Sequence, residues 1–408
     1  MARPTQKKKQ GMTRAEFLGA AKRLILPILV TMLLAGVSSA YAVARILETS
    51  RPDLALSLMP SLPPAIEAKS QQILLEAGQT RDAGKLSAAR HLAIRSLEAS
   101  PLNPAALRIL AVTGPQRVEL VRSLVGTALG LSRRDVEAQL MQIELDVQRN
   151  DIPSTLRHYD QALRVRPSIG NLLFPTLLQA GDSADLLPPI RRLVASNPAW
   201  LPRMITWTLE NPDQLPRLTR LVDAIPAGSE ALGPGYGQPL VEALVERHDY
   251  ANAIRVHARY SPQSAVPAFG AGFVYRPVDW VAAEESDFGG TMIEAPAPHV
   301  RIYAEQGAQG VFLSRLAALP PGRYRLSFST AKPADEASGT ISVTTTCQTP
   351  TSERALSGAR APVATRGYAH EFTVPAAGCP FQWLRLSVAS QSGSLNADLN
   401  GVRIVRLP

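Results

Sequence analysis

The chain has 408 residues, of which 45% are hydrophobic and 19% charged, so it is long enough for two or three domains with separate cores. Its formal net charge is +9, but residues 1–23 hold seven basic residues and the single acidic Glu16, which leaves +3 for the rest. Because no basic domain remains to follow a phosphate backbone, this distribution argues against nucleic acid as a partner.

The first predicted element is an apolar helix from Leu24 to Ala44, which has no charged residue. A helix of this length spans about 31 Å, close to the roughly 30 Å of a bilayer core. The basic segment 1–23 precedes it, so the positive-inside rule predicts a cytoplasmic N-terminus, a single pass through the lipid bilayer and an exported remainder. The small residues at 40–44 leave a cleaved signal peptide and a soluble exported protein as the alternative.

Residues 45–66 contain four prolines, and this spacing predicts a stalk between the membrane and the first folded domain. From residue 67 to 262 helix-forming residues dominate. Two similar helices end at Pro101 and Pro167, which are 66 residues apart and thus two periods of 33. The sequence therefore predicts repeated helix pairs, with an ordinary helical bundle as the alternative.

These helix pairs resemble the tetratricopeptide repeats, in which small residues let two helices approach closely and an aromatic residue fills the gap to the next pair. The residues that carry the resemblance are Gly84, Ala89, Pro101, Tyr159, Ala162, Pro167, Tyr250 and Ala253. The resemblance implies a tetratricopeptide-like α-solenoid with a surface for protein partners.

After Pro262 the pattern changes to the alternation of period two that is typical of strands. Seven strands are predicted, at 299–305, 310–316, 322–330, 340–348, 368–374, 382–388 and 401–407. They predict an antiparallel β-sandwich of the jelly-roll type over residues 263–408. In an exported domain Cys347 and Cys379 are expected to form a disulfide, and two separate buried thiols are the alternative.

The segments 272–280, 319–328 and 379–386 resemble carbohydrate-binding-module-like jelly rolls. Together with the helical repeats, they resemble exported proteins encoded with bacterial exopolysaccharide and envelope machinery. The resemblance implies an inner-membrane protein whose bulk is periplasmic and which acts as a scaffold or adaptor in polysaccharide assembly or export, with envelope proteins as partners. The alternative is a carbohydrate-binding protein whose jelly roll holds a glycan. A degenerate glycan-active enzyme is the weaker alternative.

Sugar rings stack on aromatic side chains, while planar polar groups bind their hydroxyls. The candidate glycan contacts are Tyr275, Trp280, Trp383 and Arg385, and packing within or between domains is the alternative role of the aromatic residues. The acidic loop at 284–287 is interpreted as a solvated charge cluster, with calcium binding as the alternative. The six histidines show no metal-ligand spacing and no nucleophile motif occurs, so neither a catalytic residue, a metal nor a cofactor is expected, and the protein is not expected to be an enzyme.

Overall fold

The computed structural model describes residues 14–80, 82–114, 117–260, 275–293, 298–332, 339–349, 351–364 and 366–408. Residues up to Val165 form one compact unit, and Arg166–Pro408 form a second. Fourteen α-helices precede ten β-strands in these described ranges, which confirms a helical part followed by an antiparallel β-part.

The helices fall into both units, and short 3-10 turns connect several of those in the second. The first unit holds α1 (Arg14–Leu47), α2 (Pro52–Leu58), α3 (Pro63–Thr80), α4 (Ala83–Ala99), α5 (Pro104–Thr113), α6 (Val118–Leu131), α7 (Val136–Gln148) and α8 (Ile152–Val165). The second unit holds α9 (Gly170–Ala180), α10 (Leu187–Ala195), α11 (Leu201–Glu210), α12 (Leu215–Thr219), α13 (Pro234–Glu246) and α14 (Tyr250–Tyr260).

Helix α1 contains the predicted apolar segment. Its residues Leu29–Leu47 form a stretch that is long and apolar enough to cross a membrane, and only 6% of that window is buried within the protein. A membrane span and a signal sequence both fit this length and composition. Most of the predicted basic segment, residues 1–13, lies outside the described residues.

The segment 45–66 differs from the predicted stalk because much of it is helical. Helices α2 and α3 begin at Pro52 and Pro63, where a proline costs little because the first N–H groups of a helix have no intrahelical partner. Ala44 at the end of α1 joins a buried cluster with residues of α2 and α3. Three of the four prolines therefore lie in the first turns of helices, and Pro60 lies in the turn between α2 and α3.

The helical part has a regular period. The helices α5, α7, α9, α11 and α13 begin at residues 104, 136, 170, 201 and 234, which are intervals of 32, 34, 31 and 33 residues. Within the first unit, each helix from α3 to α8 contacts the next one along the chain. The period matches the predicted helix pairs, while membership of the tetratricopeptide family stays an interpretation.

The small and aromatic residues of the repeat pattern lie between helices. Ala89, Ala162 and Ala253 are fully buried, and Tyr159 and Tyr250 are 8% and 4% exposed. A buried alanine lets a neighbouring helix come close, which is the packing that the pattern implies.

The turn residues of the pattern lie outside these contacts. Gly84 is in the first turn of α4, where the Asp82 carboxylate accepts hydrogen bonds from the backbone N–H groups of Gly84 and Lys85. Pro101 is exposed just after α4, and Pro167 is exposed at the start of a 3-10 turn after α8. Gly84 therefore lies where a helix begins and the two prolines where helices have ended, so all three belong to the connections between helices.

The C-terminal part is a sandwich of two five-stranded antiparallel sheets. The strands are β1 (Val281–Ala282), β2 (Phe288–Ile293), β3 (His299–Ala304), β4 (Gln309–Ala317), β5 (Gly322–Ala331), β6 (Gly339–Gln348), β7 (Glu353–Pro362), β8 (Arg366–Val374), β9 (Phe381–Ser390) and β10 (Leu395–Arg406). The first sheet has the order β1-β4-β9-β6-β7 and the second the order β2-β3-β10-β5-β8. Their inner faces share one hydrophobic core, and all seven predicted strands are present.

Strands β1, β2 and β7 were not predicted. β2 contains Gly289 and Gly290, and a Cβ at Gly290 would lie 2.8 Å from a methyl carbon of Val300. Close packing requires glycine here, so the segment lacks the alternating hydrophobic side chains from which a strand is predicted. β7 is an edge strand with mostly exposed residues, and it lacks the alternation on which strand prediction depends.

A disulfide joins Cys347 on β6 to Cys379 just before β9, with the two Cα atoms 5.1 Å apart. The strands that it joins are neighbours in the first sheet. The predicted domain boundary at residues 262 and 263 lies outside the described residues.

Candidate glycan-binding face

Strand β9 runs between β4 and β6 in the first sheet, and its side chains alternate between two faces. Leu384, Leu386 and Val388 belong to the sandwich core. Trp383 and Arg385 are half-buried on the opposite face, which we call the outer face. This is the arrangement that the alternation along the strand predicts, because successive side chains point to opposite sides.

Hydroxyl side chains surround β9 on the outer face. The register forms three rows, Ser314–Arg385–Thr344, Leu316–Trp383–Thr346 and Val311–Ser387–Ser342. Four of these hydroxyls form no hydrogen bond with any other described residue, namely those of Ser314, Ser342, Thr344 and Ser387. A hydroxyl without a protein partner is free to donate to, and accept from, a ligand.

Arg385 is held over the Trp383 ring by a carboxylate on the edge strand β7. Its guanidinium carbon lies 5.1 Å from the ring centroid, and its Nη atoms donate to both carboxylate oxygens of Glu353. The hydroxyl of Thr346 donates to the same carboxylate at 2.7 Å. The hydrogen bond from Arg385 holds the pKa of Glu353 below its ordinary value, although burial acts in the opposite direction. The charges of Arg385 and Glu353 therefore cancel beside the indole ring.

Helix α14 begins beside one end of this face. The ring of Tyr250 lies 5.6 Å from the ring of Phe381, the first residue of β9, and its hydroxyl is 2.7 Å from Nδ1 of His248. Burial raises the pKa of Tyr250, and the nearby Glu353 carboxylate acts in the same direction. Tyr250 and His248 thus form a wall at the Phe381 end of the outer face.

Tyr275 is a packing residue, so its predicted role as a glycan contact is wrong. It is only 2% exposed, and its hydroxyl donates to the carbonyl oxygen of Leu232. Its ring lies 5.2 Å from that of Tyr260 and 5.6 Å from that of His257. Burial raises its pKa, as expected for a phenol that has left water. Tyr275 therefore fixes the segment before β1 against helix α14.

Trp280 belongs to the sandwich core and is 4% exposed. The guanidinium carbon of Arg315 lies 5.9 Å from its ring centroid. Trp280 also borders a cavity of about 440 Å³ that Arg276, Ala282, Glu284, Thr291 and Met292 line as well. Because the ring is part of the sandwich core and only 4% exposed, packing, the alternative role, describes Trp280 better than sugar contact.

In the ranges that the structure describes, no group of three or more His, Cys, Asp or Glu residues is placed to hold a metal ion. The acidic loop is exposed at Glu284, Glu285 and Asp287. It is shaped by its own polar contacts, since Ser286 Oγ donates to the Asp287 carboxylate at 2.7 Å. These contacts fit the interpretation of a solvated charge cluster.

Sequence reasoning missed Glu353, the free hydroxyls and the position of Tyr250. Glu353 is 32 residues from Arg385 in the chain and stands at the start of a strand without alternation. Serine and threonine are common in exposed strand positions, so their spacing alone carried no signal. The alternation in β4 and β6 was the usable signal, because it puts these hydroxyls on the face opposite the core.

Comparison with protein-family models gives no match, and comparison with curated proteins gives none. Several solved structures are similar to about a third of the chain. A CBM4 module is 10% identical with a TM-score of 0.25, over 35% of this chain and 97% of that chain. TmCBM61, solved in complex with beta-1,4-galactotriose, is 16% identical with a TM-score of 0.25, over 35% of this chain and 95% of that chain.

The CBM22-1 xylan-binding domain of Xyn10C from Paenibacillus barcinonensis is 12% identical, with a TM-score of 0.24 over 35% of this chain and 93% of that chain. With identities and TM-scores this low, the function of the present chain has to follow from its own residues and contacts.

Proposed function

We propose that the β-sandwich binds a glycan on the outer face of the first sheet, and that α1 holds the protein at a membrane. The observation that carries this proposal is the half-buried Trp383 on the central strand of a sheet face where four hydroxyls have no partner among the described residues. Indole rings stack on the apolar faces of sugars, and hydroxyls and guanidinium groups bind sugar hydroxyls. Glycan binding thus takes precedence over the scaffold role that the sequence resemblance favours.

The charges on the outer face favour a neutral glycan. Arg385 is paired with Glu353, so the guanidinium brings no uncompensated charge to the ligand. Its remaining N–H groups and the hydroxyls of Ser314 and Thr344 in the same row are donors for sugar oxygens. The wall formed by Tyr250 and His248 closes one end, so a chain of sugars extends toward the opposite end of β9.

Titration of the full chain with neutral and acidic oligosaccharides tests this proposal. The protein is held in a detergent without sugar groups, because a glycosidic detergent would compete for the site. We expect neutral oligosaccharides to bind, and Trp383→Ala to weaken binding about tenfold or more through loss of the stacking surface. Isothermal titration calorimetry measures the affinity, and thermal unfolding checks that the variant is folded.

Tyr368→Ala is the matched control. Tyr368 is half-buried on β8 of the other sheet, and the guanidinium carbon of Arg366 lies 5.1 Å from its ring centroid, the same distance as in the Arg385 and Trp383 pair. We expect this variant to bind like the unchanged protein. Equal weakening by both substitutions, or no binding to any neutral or acidic glycan by the folded chain, would refute the proposal.

We also propose a second role, in which the helical repeats bind protein partners of an envelope polysaccharide system on the periplasmic side of a bacterial inner membrane. The repeat interval of 31 to 34 residues favours this role, since stacked helix pairs form extended binding surfaces. Crosslinking in membranes, with the chain lacking residues 268–408 as a comparison, tests it. Specific crosslinks that persist without the β-sandwich support protein binding by the helices, and their absence contradicts it.

A further inference from the structure

A second cavity lies within the Arg166–Pro408 unit, where α14 packs beside the end of β4, and its volume is about 390 Å³. Apolar side chains form much of its wall, including Ile254, Leu316 and Leu319. Arg315 and Arg406 also line it, and none of the described residues that line it is acidic. The cavity therefore combines a largely apolar wall with two positive charges.

Arg315 is the buried charge of this cavity, and it is only 5% exposed. Its Nε donates to the carbonyl oxygen of Val278 at 3.0 Å, and its guanidinium lies beside the Trp280 ring. Among the described residues, its two Nη atoms have no hydrogen-bond partner and it forms no ion pair. The Nη atoms are not among the fully buried polar atoms without a partner, so they are open to the cavity and can donate to a ligand there.

The carboxylate of Asp279, which acts on the charge of Arg315, is already engaged by other groups. Asp279 accepts a hydrogen bond from the Tyr275 backbone N–H at 2.9 Å through Oδ2, and its Oδ1 lies 3.0 Å from Nε2 of His257. Burial lowers the pKa of Arg315 to about 10, while Asp279 acts in the opposite direction. Arg315 is therefore still a cation at neutral pH.

Arg406 adds a second, accessible cation. It is exposed at the end of β10, and one of its Nη atoms donates to the carbonyl oxygen of Pro321 at 2.8 Å. Arg406 forms no ion pair with any described residue, so its positive charge is not compensated there. An anion that enters the cavity thus meets Arg406 first and Arg315 at depth.

We infer that this cavity, which we call the Arg315 cavity, binds an organic carboxylate. The two Nη groups of an arginine match the two oxygens of a carboxylate, so the unused donors of Arg315 define the ligand group. The apolar wall favours a carboxylate with an organic body over inorganic phosphate, and the volume is within the range of small-ligand pockets. This site differs from the proposed glycan contacts Trp383 and Arg385, although Leu316 borders both, and the inference goes beyond the proposed glycan binding.

Calorimetric titration of the full chain with four probes tests the inference. Glucuronate and hexanoate carry the same carboxylate on a sugar and on an aliphatic body, while inorganic phosphate and glucose each lack one of the two required features. We expect glucuronate or hexanoate to bind at least ten times more tightly than phosphate and glucose. The one that binds more tightly shows whether the natural ligand is a sugar acid or an aliphatic acid. If phosphate or glucose binds as well as both carboxylates, or if neither carboxylate binds at millimolar concentration, the inference is wrong.

Three variants locate the binding. Arg315→Met keeps an unbranched side chain but removes the guanidinium and its charge, and we expect at least tenfold weaker carboxylate binding. Arg406→Gln is expected to weaken it less, because Arg406 is exposed. Arg403→Gln, an exposed residue on the same strand with the same charge change, is the control and should bind like the unchanged protein.

If Arg315→Met does not fold, the variants of the exposed residues, Arg406→Gln and Arg403→Gln, still decide the test. Carboxylate affinity that falls in Arg406→Gln but not in Arg403→Gln supports the Arg315 cavity as the site. Equal affinity in these two variants, or unchanged affinity in a folded Arg315→Met variant, places the binding elsewhere and overturns the inference. None of these variants alters Trp383. The carboxylate affinities therefore decide the inference whether or not the outer face binds a glycan.

Discussion

Two arginines of the β-sandwich lie over aromatic rings at the same distance, but their surroundings differ. Arg385 lies over Trp383 and Arg366 over Tyr368, each at 5.1 Å from the ring centroid. Arg385 is held by Glu353, whereas Arg366 donates to the Tyr368 hydroxyl at 3.2 Å and forms no ion pair in the described part of the chain. A guanidinium whose charge is neutralised by a carboxylate is a better platform for an uncharged ligand than an unpaired cation.

Asp279 is the residue on which we expect the attachment of the β-sandwich to α14 to depend most. Asp279→Ala removes the acceptor for both His257 and the Tyr275 backbone N–H, and all three groups are buried. We expect the free energy of unfolding to fall by about 3 kcal/mol, as for other broken buried charge contacts. Denaturant unfolding of the full chain measures it.

The control for this substitution is Asp213→Ala. The Asp213 side chain is 95% exposed and lies 4.0 Å from an Nη atom of Arg247. We expect a change of no more than about 0.5 kcal/mol, because exposed ion pairs contribute little. A similar loss of stability in both variants would contradict the role assigned to Asp279.

We expect His370 to make the stability of the β-sandwich depend on pH. Burial lowers its pKa from the ordinary value of 6.5, and its Nε2 lies 2.9 Å from Ser357 Oγ. The unfolded chain therefore binds the proton more readily, so stability falls as the pH drops below about 6.5 and levels off below the folded-state pKa. We expect His370→Gln to reduce the decrease in melting temperature between about pH 7.5 and 5. An unchanged decrease in the variant would show that other groups cause it.

At the scale of elements, close helix contacts depend on small residues. Ala89 and Ala88 are neighbours on α4, but Ala89 is fully buried and Ala88 is exposed. The hydroxyl of Ser70 on α3 donates to the Ala89 carbonyl oxygen at 2.7 Å, so the two helices are in direct contact at this position. The pair offers the same substitution in two environments.

We expect Ala89→Leu to destabilise the first unit by about 1–3 kcal/mol, because the added carbons overfill the contact between α3 and α4. Ala88→Leu adds the same carbons on the solvent side and is expected to change stability by less than about 0.5 kcal/mol. Circular dichroism during denaturant unfolding compares the two. Equal effects would show that helix propensity, and not packing, dominates at this position.

At the scale of the whole molecule, we expect α1 to determine where the protein resides. Its stretch Leu29–Leu47 has exposed apolar side chains, including Leu33 and Leu34 at 67% and 60% exposure, and water is a poor solvent for such a surface. We expect the full chain to stay with membranes during alkaline extraction and a chain beginning at residue 48 to be released. Retention of the shortened chain, or release of the full chain at its full length, would contradict membrane anchoring by α1.

The order of domains and the two faces of β9 were predictable from the sequence, because they depend on local patterns. A run of apolar residues, a period near 33 and an alternation of period two each reflect the geometry of a single element or of adjacent elements. Trp383 and Arg385 could therefore be placed on one face, opposite Leu384, without knowledge of their neighbours.

Only the tertiary structure decided what surrounds these residues. Glu353 reaches Arg385 because β7 is the edge strand beside β6, and Arg315 and Arg406 line one cavity because the ends of β4 and β10 border it. Tyr275 and Trp280 looked like sugar platforms in sequence, but burial made them packing residues. Strand order and burial arise from contacts between distant segments, and these contacts leave no local pattern in the chain.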